Sequence, residues 1–336
     1  MTKRSKKMKI LVMGDRKRYE KYAPQMNIIE KSEIIYIARD ACTAAALEAA
    51  PDAGILFADA ISRVGGDLLK QMKNLKMVHS EGVAYNGIDV ETAKELGIYV
   101  CNNKGANAGA VAEQAIYLML ALLRSGIAGD AAVRDGRQIE MKEARMREGI
   151  TDLADCRVGL VGLGDIGQAT AQRLNAFGCE LYYYSLHRKS AELEKQLKLT
   201  WLPLNRLAAA CDIISLHMAV TPDTAGIINQ DFLSHMKKSS YLINTARGEL
   251  VDNHALRAAL IQGLIAGAGL DTVAPEPVTK DNPLVTLPED CKDHIIFSPH
   301  LGGITSGSYR RMHRKMWENA DRISRGERPD NIVNGL

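Results

Sequence analysis

The sequence predicts an α/β protein built on two doubly wound parallel sheets. Short β-branched or apolar runs alternate with longer helical patterns along the chain, which is the signature of parallel βαβ units. The runs fall into two series, separated by one long apolar helix. A length of 336 residues suits two domains at about 150 residues each.

The first series begins at Lys9–Met13 and continues with Ile34–Ile37, Ala53–Phe57, Met77–His79 and Ile98–Val100. The gaps leave room for crossover helices. Ala108–Arg124 is mostly apolar, and its longest unbroken run, Ala115–Leu123, falls short of the ~18 residues a membrane span needs. It reads as part of a buried helix. The second series has six expected strands: Val158–Val161, Leu181–Tyr184, Ile213–Leu216, Tyr241–Ile243, Ala266–Leu270 and Ile295–Phe297. After His300 a charged helix is expected over Ser306–Arg325, followed by a short tail.

Composition narrows the function. An apolar fraction of 46% and a charged fraction of 25% are those of an ordinary globular protein. The net charge of +3 is too mild to point to nucleic acid, and 5% aromatics offer little for base stacking. The basic leader (Lys3, Arg4, Lys6, Lys7, Lys9) reads as a solvated segment before the first strand, and the apolar stretch after it is too short for a signal-peptide core. The six cysteines are scattered without a CxxC pair, as in a protein of a reducing, cytoplasmic compartment. Neither they nor the eight histidines have metal-ligand spacing, so no metal is expected.

The segment Val158–Gly167 carries Gly162, Gly164 and Gly167 between an expected strand and a helix over Asp165–Phe177. In that context a GxGxxG turn binds a dinucleotide. One glycine allows the tight turn, the next lets the backbone approach the pyrophosphate, and the third lets helix and strand pack closely. Asp165, Ile166 and Gly167 open the helix whose free N–H groups face the phosphates. The following strand should end on a carboxylate for the ribose hydroxyl. Here Ser185 stands at the tip, with Arg188 and Lys189 after it. A guanidinium accepts a 2′-phosphate that a carboxylate would repel, so the tip favours NADP over NAD.

Three more segments follow strands of the second series and gather at its carboxyl edge, where open α/β sheets bind ligands. They are Asn244-Thr-Ala-Arg-Gly248 with Val251-Asp252, Asp271 with Glu276-Pro277, and Pro299-His-Leu-Gly-Gly303. A single Arg in a turn or a single His is usually structural, and the other seven histidines are read that way. Arg247, Glu276 and His300 together point to catalysis.

With Gly162–Gly167 and Asn107–Glu113, these motifs make the chain resemble the D-isomer-specific 2-hydroxyacid dehydrogenases over nearly its whole length. The resemblance implies a Rossmann cofactor domain, residues 105–300, inserted into a flavodoxin-like substrate domain, residues 1–104 and 301–336. It implies that Arg247 binds the substrate carboxylate and polarises its 2-oxo group. His300 is implied as acid/base, supported by Glu276, in hydride transfer between a nicotinamide cofactor and a small 2-oxo or 2-hydroxy acid. Thr245 and Asp271 are implied on the nicotinamide side. Ser80–Asp89 matches the loop that presents backbone N–H groups to the carboxylate, with Val83 and Ala84 as the donors. Two departures occur there: Gly82 stands where Ser is common, and Ala84 where Gly is usual. Glu81 and Tyr85 are candidates to set side-chain specificity, although a carboxylate near an anionic substrate is unusual and Glu81 is then expected to point away. The resemblance also implies a homodimer, joined partly by the charged arm 130–150. The competing expectation is a sensing or corepressor module that kept the fold and lost turnover. Intact Arg247, Glu276 and His300 speak against it.

Overall fold

The computed structural model describes residues 7–336, so Lys3, Arg4 and Lys6 of the basic leader lie outside the described residues. The chain divides into two compact units. Unit 1 takes the described residues up to Asn107 together with Ile304–Leu336, and unit 2 is Ala108–Gly303.

In unit 1 the elements run β1 (Met8–Met13), α1 (Arg16–Tyr22), α2 (Asn27–Lys31), β2 (Ser32–Ile37), α3 (Thr43–Ala49), β3 (Ile55–Ala58), α4 (Gly66–Gln71), β4 (Met77–Ser80), α5 (Val90–Glu95) and β5 (Tyr99–Cys101). The strands form one parallel sheet in the order β2-β1-β3-β4-β5, the doubly wound order of flavodoxin-like folds. Both faces are covered. Leu11, Leu56 and Val78 pack with Leu68 and Leu69 of α4 on one side. Ile10, Phe57 and Met77 meet Met316 and Trp317 on the other. This double burial explains why these strands are continuous apolar runs rather than alternating ones. Lys9 is part of β1, and its Nζ pairs with Asp52 at 2.6 Å.

Unit 2 opens with α6 (Ala108–Leu123), α7 (Gly126–Arg134) and α8 (Gln138–Glu148). It continues β6 (Arg157–Val161), α9 (Asp165–Phe177), β7 (Glu180–Tyr184), α10 (Ala191–Leu197), β8 (Leu199–Trp201), α11 (Leu204–Ala210), β9 (Ile213–Leu216), α12 (Gln230–His235), β10 (Tyr241–Asn244), α13 (Asn253–Ile261), β11 (Gly267–Leu270) and β12 (Ile295–Phe297). The parallel sheet has the order β12-β11-β10-β9-β6-β7-β8, a Rossmann arrangement with one added strand. The expected six strands become seven. Leu199-Thr-Trp201 pairs only with β7 at the sheet edge, and three residues are too few to show a pattern. Most of the apolar run Ala115–Leu123 is buried within α6, against Leu160 and Ile243, with Tyr117 exposed. The arm is helical, and α8 buries no residue.

The chain then returns to unit 1 as α14 (Ser306–Ser324), capped by Thr305 Oγ1 accepting from Ser308 N. Its tail joins the sheet edge, where Val333 N donates to Val100 O and Asn334 Nδ2 to Ile98 O. No single helix among the described residues is long and apolar enough to cross a membrane.

Candidate active site

The strand register of unit 2 aligns its carboxyl edge. Phe297 pairs with Leu270, Leu270 with Asn244, Asn244 with Leu216, Leu216 with Val161 and Val161 with Tyr184. The next residue on each strand is therefore Ser298, Asp271, Thr245, His217, Gly162 and Ser185, a single row across the sheet. Most residues singled out from the sequence in this half stand in that row or a few positions beyond it.

The three glycines have three different physical reasons. Gly162 has φ +101, and a Cβ there would meet the His217 carbonyl carbon at 2.7 Å. Gly167 packs so closely that its Cβ would sit 2.4 Å from Gly162 O. At Gly164 nothing lies within 4 Å of a Cβ position, so the backbone there faces open space. No side chain caps α9, whose first-turn N–H groups point out of the same turn. Two buried polar atoms along the row also have no partner among the described residues: Thr245 Oγ1 and His217 Nδ1. Loss of water around His217 pushes its imidazole down to about 4, while its Nε2 stays on Ser215 Oγ at 2.9 Å. An open cradle, free helix N–H groups and unpaired polar atoms on one edge fit a pyrophosphate with a polar ring at its other end.

At the tip of β7, Ser185 Oγ donates to His187 O. Arg188 gives Nε and Nη2 to the two oxygens of Glu194 at 2.8 and 2.9 Å. That pairing, helped by the Tyr183 hydroxyl, draws the Glu194 carboxyl down to about 2. Among the described residues Nη1 of Arg188 has no partner, and its side chain is 63% exposed.

Arg247 follows β10 in a turn built by Asn244, whose side chain accepts from Ala246 N and donates to Arg247 O. Arg247 Nη1 donates to Ala246 O at 2.6 Å, and the exposed guanidinium has no ion pair among the described residues. Gly248 brings this turn against residues 273–274, since a Cβ there would lie 2.1 Å from Ala274 N. Glu276 comes two residues later. His300 Nδ1 lies 3.0 and 3.1 Å from its two carboxylate oxygens. A carboxylate only accepts, so Nδ1 carries the proton toward Glu276, and Nε2 has no hydrogen-bond partner among the described residues.

His300 itself has φ +55, a left-handed conformation that is costly for a residue with a Cβ. Asp271 holds it there. Its backbone carbonyl accepts from His300 N at 2.9 Å, and its carboxylate accepts from Leu301 N and Gly302 N at 2.9 Å each and from Ser298 Oγ. Gln114 Nε2 of α6 in turn donates to Ser298 Oγ. Asp271 is 3% exposed, so within the protein its carboxylate is the anchor of the His300 loop. Sequence reasoning missed Ser298 and Gln114, which carry no motif of their own.

In unit 1, residues 80–85 form a loop whose carbonyls are all taken. Asn103 Nδ2 donates to Ser80 O and Glu81 O, Asn103 N to Gly82 O, and Asn102 Nδ2 to Val83 O. Ser80 Oγ donates to Ala84 O, and Ile88 N to Tyr85 O. With the oxygens turned inward, the N–H groups of Val83, Ala84 and Tyr85 have no acceptor among the described residues. Consecutive free amides of this kind make a nest for an anion. Glu81 points away from them and is buried.

Comparison with known proteins places the chain in a family. Residues 116–302 match the family described as "D-isomer specific 2-hydroxyacid dehydrogenase, NAD binding domain". The chain is 34% identical over 288 residues to the glyoxylate reductase of Korarchaeum cryptofilum, covering 86% of this chain and 85% of that one. It is 34% identical over 264 residues to the hydroxypyruvate reductase of Thermotoga maritima, covering 78% and 82%. Among solved structures, D-lactate dehydrogenase with NAD+ from Lactobacillus jensenii superposes with a TM-score of 0.82 at 27% identity, covering 97% and 99%. The chain therefore belongs to the D-isomer-specific 2-hydroxyacid dehydrogenase family and is a nicotinamide-dependent oxidoreductase of 2-hydroxy acids.

Proposed function

We propose that the protein reduces a small 2-oxo acid, glyoxylate or hydroxypyruvate, to the D-2-hydroxy acid. The observation that carries this is the His300–Glu276 contact on the same sheet edge as an exposed Arg247 without an ion pair. Unit 2 is the cofactor domain and unit 1 the substrate-binding domain. Gly162, Gly164, Asp165, Ile166 and Gly167 cradle the pyrophosphate, and Thr245 and Asp271 flank the nicotinamide. When bound, the nicotinamide supplies the hydride. Arg247 fixes the substrate carboxylate through its rigid fork of donors and draws electron density from the 2-oxo group. The N–H groups of Val83 and Ala84 are further donors for that carboxylate. His300 Nε2 delivers a proton to the carbonyl oxygen as negative charge develops on it, or removes the hydroxyl proton in reverse. Glu276 keeps the imidazole in one tautomer and orientation throughout. The decisive experiment is turnover of glyoxylate and hydroxypyruvate by wild type, Arg247→Ala and His300→Ala. Undiminished activity in either variant refutes the mechanism.

NADPH is the preferred cofactor. The reading is supported by the absence of a carboxylate at Ser185 and by the unengaged Nη1 of Arg188. Arg188→Ala then raises KM for NADPH by about tenfold, the scale of one charge-assisted bond, and leaves KM for NADH unchanged. A wild-type kcat/KM that favours NADH overturns it. Cytoplasmic residence is supported by six cysteines without a disulfide, five of them buried. A homodimer is supported by the α7–α8 arm, where Val133, Ile139 and Met146 are exposed.

A further inference from the structure

Glu81 begins the loop that carries the free amides, yet its carboxylate is turned into the protein, with its side chain only 5% exposed. Arg18 of α1 donates Nε to Oε1 at 2.9 Å and Nη2 to Oε2 at 2.5 Å. His313 of α14 reaches Oε1 through Nε2 at 2.9 Å, and a carboxylate only accepts, so Nε2 carries the proton. The same Nη2 of Arg18 also meets Asp59 Oδ2 at 2.5 Å.

The register explains why an arginine is needed here. Ala58 pairs with Ser80, so Asp59 and Glu81 are the first residues beyond adjacent strands β3 and β4. Strands lie about 4.8 Å apart, a spacing at which two like charges repel unless a cation bridges them. The cluster sits where the strand order reverses, between β1 on one side and β3 and β4 on the other. Aromatic rings enclose it. The Arg18 guanidinium lies 5.6 Å from the Tyr309 ring centre, and the Tyr19 ring lies 4.8 Å from that of His313. Burial works against the charge of Arg18, but its bonds to Glu81 and Asp59 outweigh that and raise its pKa above the ordinary value.

Glu81 is also pinned through its backbone. Its N–H donates to Ala58 O at 2.7 Å, and its carbonyl accepts from Asn103 Nδ2 at 2.8 Å. It is thus the last residue held at side chain, N–H and carbonyl together before the free amides of Val83 and Ala84. If the side chain swung out, a negative charge would stand two residues from those donors. That charge, and the loss of the side chain's hold on the loop, would weaken an anion site.

We propose that Arg18, Glu81 and His313 are positioning residues that hold the 80–85 loop in its anion-accepting shape and keep the Glu81 charge off it. The inference rests on Val83 and Ala84 binding the substrate carboxylate.

Glu81→Gln places an amide NH2 against Arg18, and Arg18→Lys keeps the charge but loses the fork. Each variant is measured for kcat and KM with glyoxylate, for the dissociation constant of oxamate, for nicotinamide affinity by fluorescence, and for Tm. Both are expected to raise KM and the oxamate constant about tenfold, the scale of one charge-assisted hydrogen bond. Nicotinamide affinity stays unchanged and kcat stays within about threefold, because those groups stand on other loops. The double variant is expected to be no worse than the worse single one, since both break one unit. If Glu81→Gln fails to fold, Arg18→Lys carries the test. Unchanged KM and oxamate binding in a folded variant overturns the proposal. So does a joint fall in kcat, nicotinamide affinity and Tm with KM steady, which marks a merely structural role. A wild-type protein inert toward 2-oxo acids overturns the activity reading and this inference with it. An active wild type with an indifferent Glu81 overturns this inference alone.

Discussion

His300 Nδ1 lies 3.0 Å from Glu276 Oε2, with both side chains 47% exposed. The same pair of residue types meets again at His313 and Glu81, 2.9 Å apart, with exposures of 0% and 5%. Contact distance does not separate the two; access does. Only the first pair can present the far ring nitrogen to a small molecule.

That difference places the catalytic prediction on His300. His300→Ala lowers kcat for glyoxylate reduction by about 10²–10⁴-fold, the usual contribution of a positioned acid or base, with Tm little changed. Glu276→Gln leaves a hydrogen-bond partner but not a fixed tautomer, so kcat falls less than in His300→Ala. Steady-state rates followed at the reduced-nicotinamide band check both. A Glu276→Gln enzyme of wild-type kcat contradicts the assigned support.

The glycine environments predict a split between stability and binding. Gly164 has φ −82 and open space where a Cβ would stand, so Gly164→Ala folds normally. Its methyl group then occupies the phosphate approach and weakens dinucleotide binding by about tenfold or more. Gly248→Ala drives a methyl into the backbone of Val273 and Ala274 and destabilises the fold by more than about 2 kcal/mol. Thermal melts and nicotinamide titrations of the two variants should show this crossed pattern. Equal losses in both assays would sink it.

Acid sensitivity follows from His79. It is fully buried, and desolvation, only partly offset by its bond to Ser80 O, lowers it from 6.5 to about 4. The unfolded chain binds that proton near pH 6.5, and the folded chain does not until about pH 4. Stability from this group is therefore complete above pH 6.5 and declines as pH falls toward 4, by on the order of 3 kcal/mol. His217 adds a decline of the same sign. Urea midpoints measured from pH 7.5 to 4.5 are expected to drop in wild type and to drop less in His79→Leu. A variant with an unaltered pH slope rules the assignment out.

The arm predicts an assembly. Ile139 and Met146 are 61% and 72% exposed on a helix that buries nothing. Light scattering is expected to give twice the 36.8 kDa chain mass for wild type and a single chain mass for Ile139→Asp/Met146→Asp. A wild type that is already monomeric refutes the dimer.

The central strands of both sheets were legible from sequence because burial on both faces makes them continuous apolar runs, as in Ile213–Leu216. Strand β8 was not, since an edge strand of three residues with Thr200 exposed leaves no periodic trace. Within the site, Gly162, Gly164 and Gly167 announced their turn because backbone geometry demands that residue type. The inward turn of the loop carbonyls was hidden. It depends on Asn102 and Asn103, which reach back about 20 positions and look in sequence like ordinary loop residues. The burial of Glu81 was hidden as well: its partners Arg18 and His313 lie 63 and 232 positions distant and no local pattern links them.

The common level of Ser298, Asp271, Thr245, His217, Gly162 and Ser185 makes the sheet a terminal block with one contact on each of six of its seven strands. An insertion after any of these positions lengthens a loop and leaves the other five where they are. An insertion inside a strand reverses its inward and outward faces and withdraws that contact altogether. Tolerance to added residues should therefore change abruptly at one line across the molecule. Loops beyond that line can differ in length among relatives without rebuilding the scaffold.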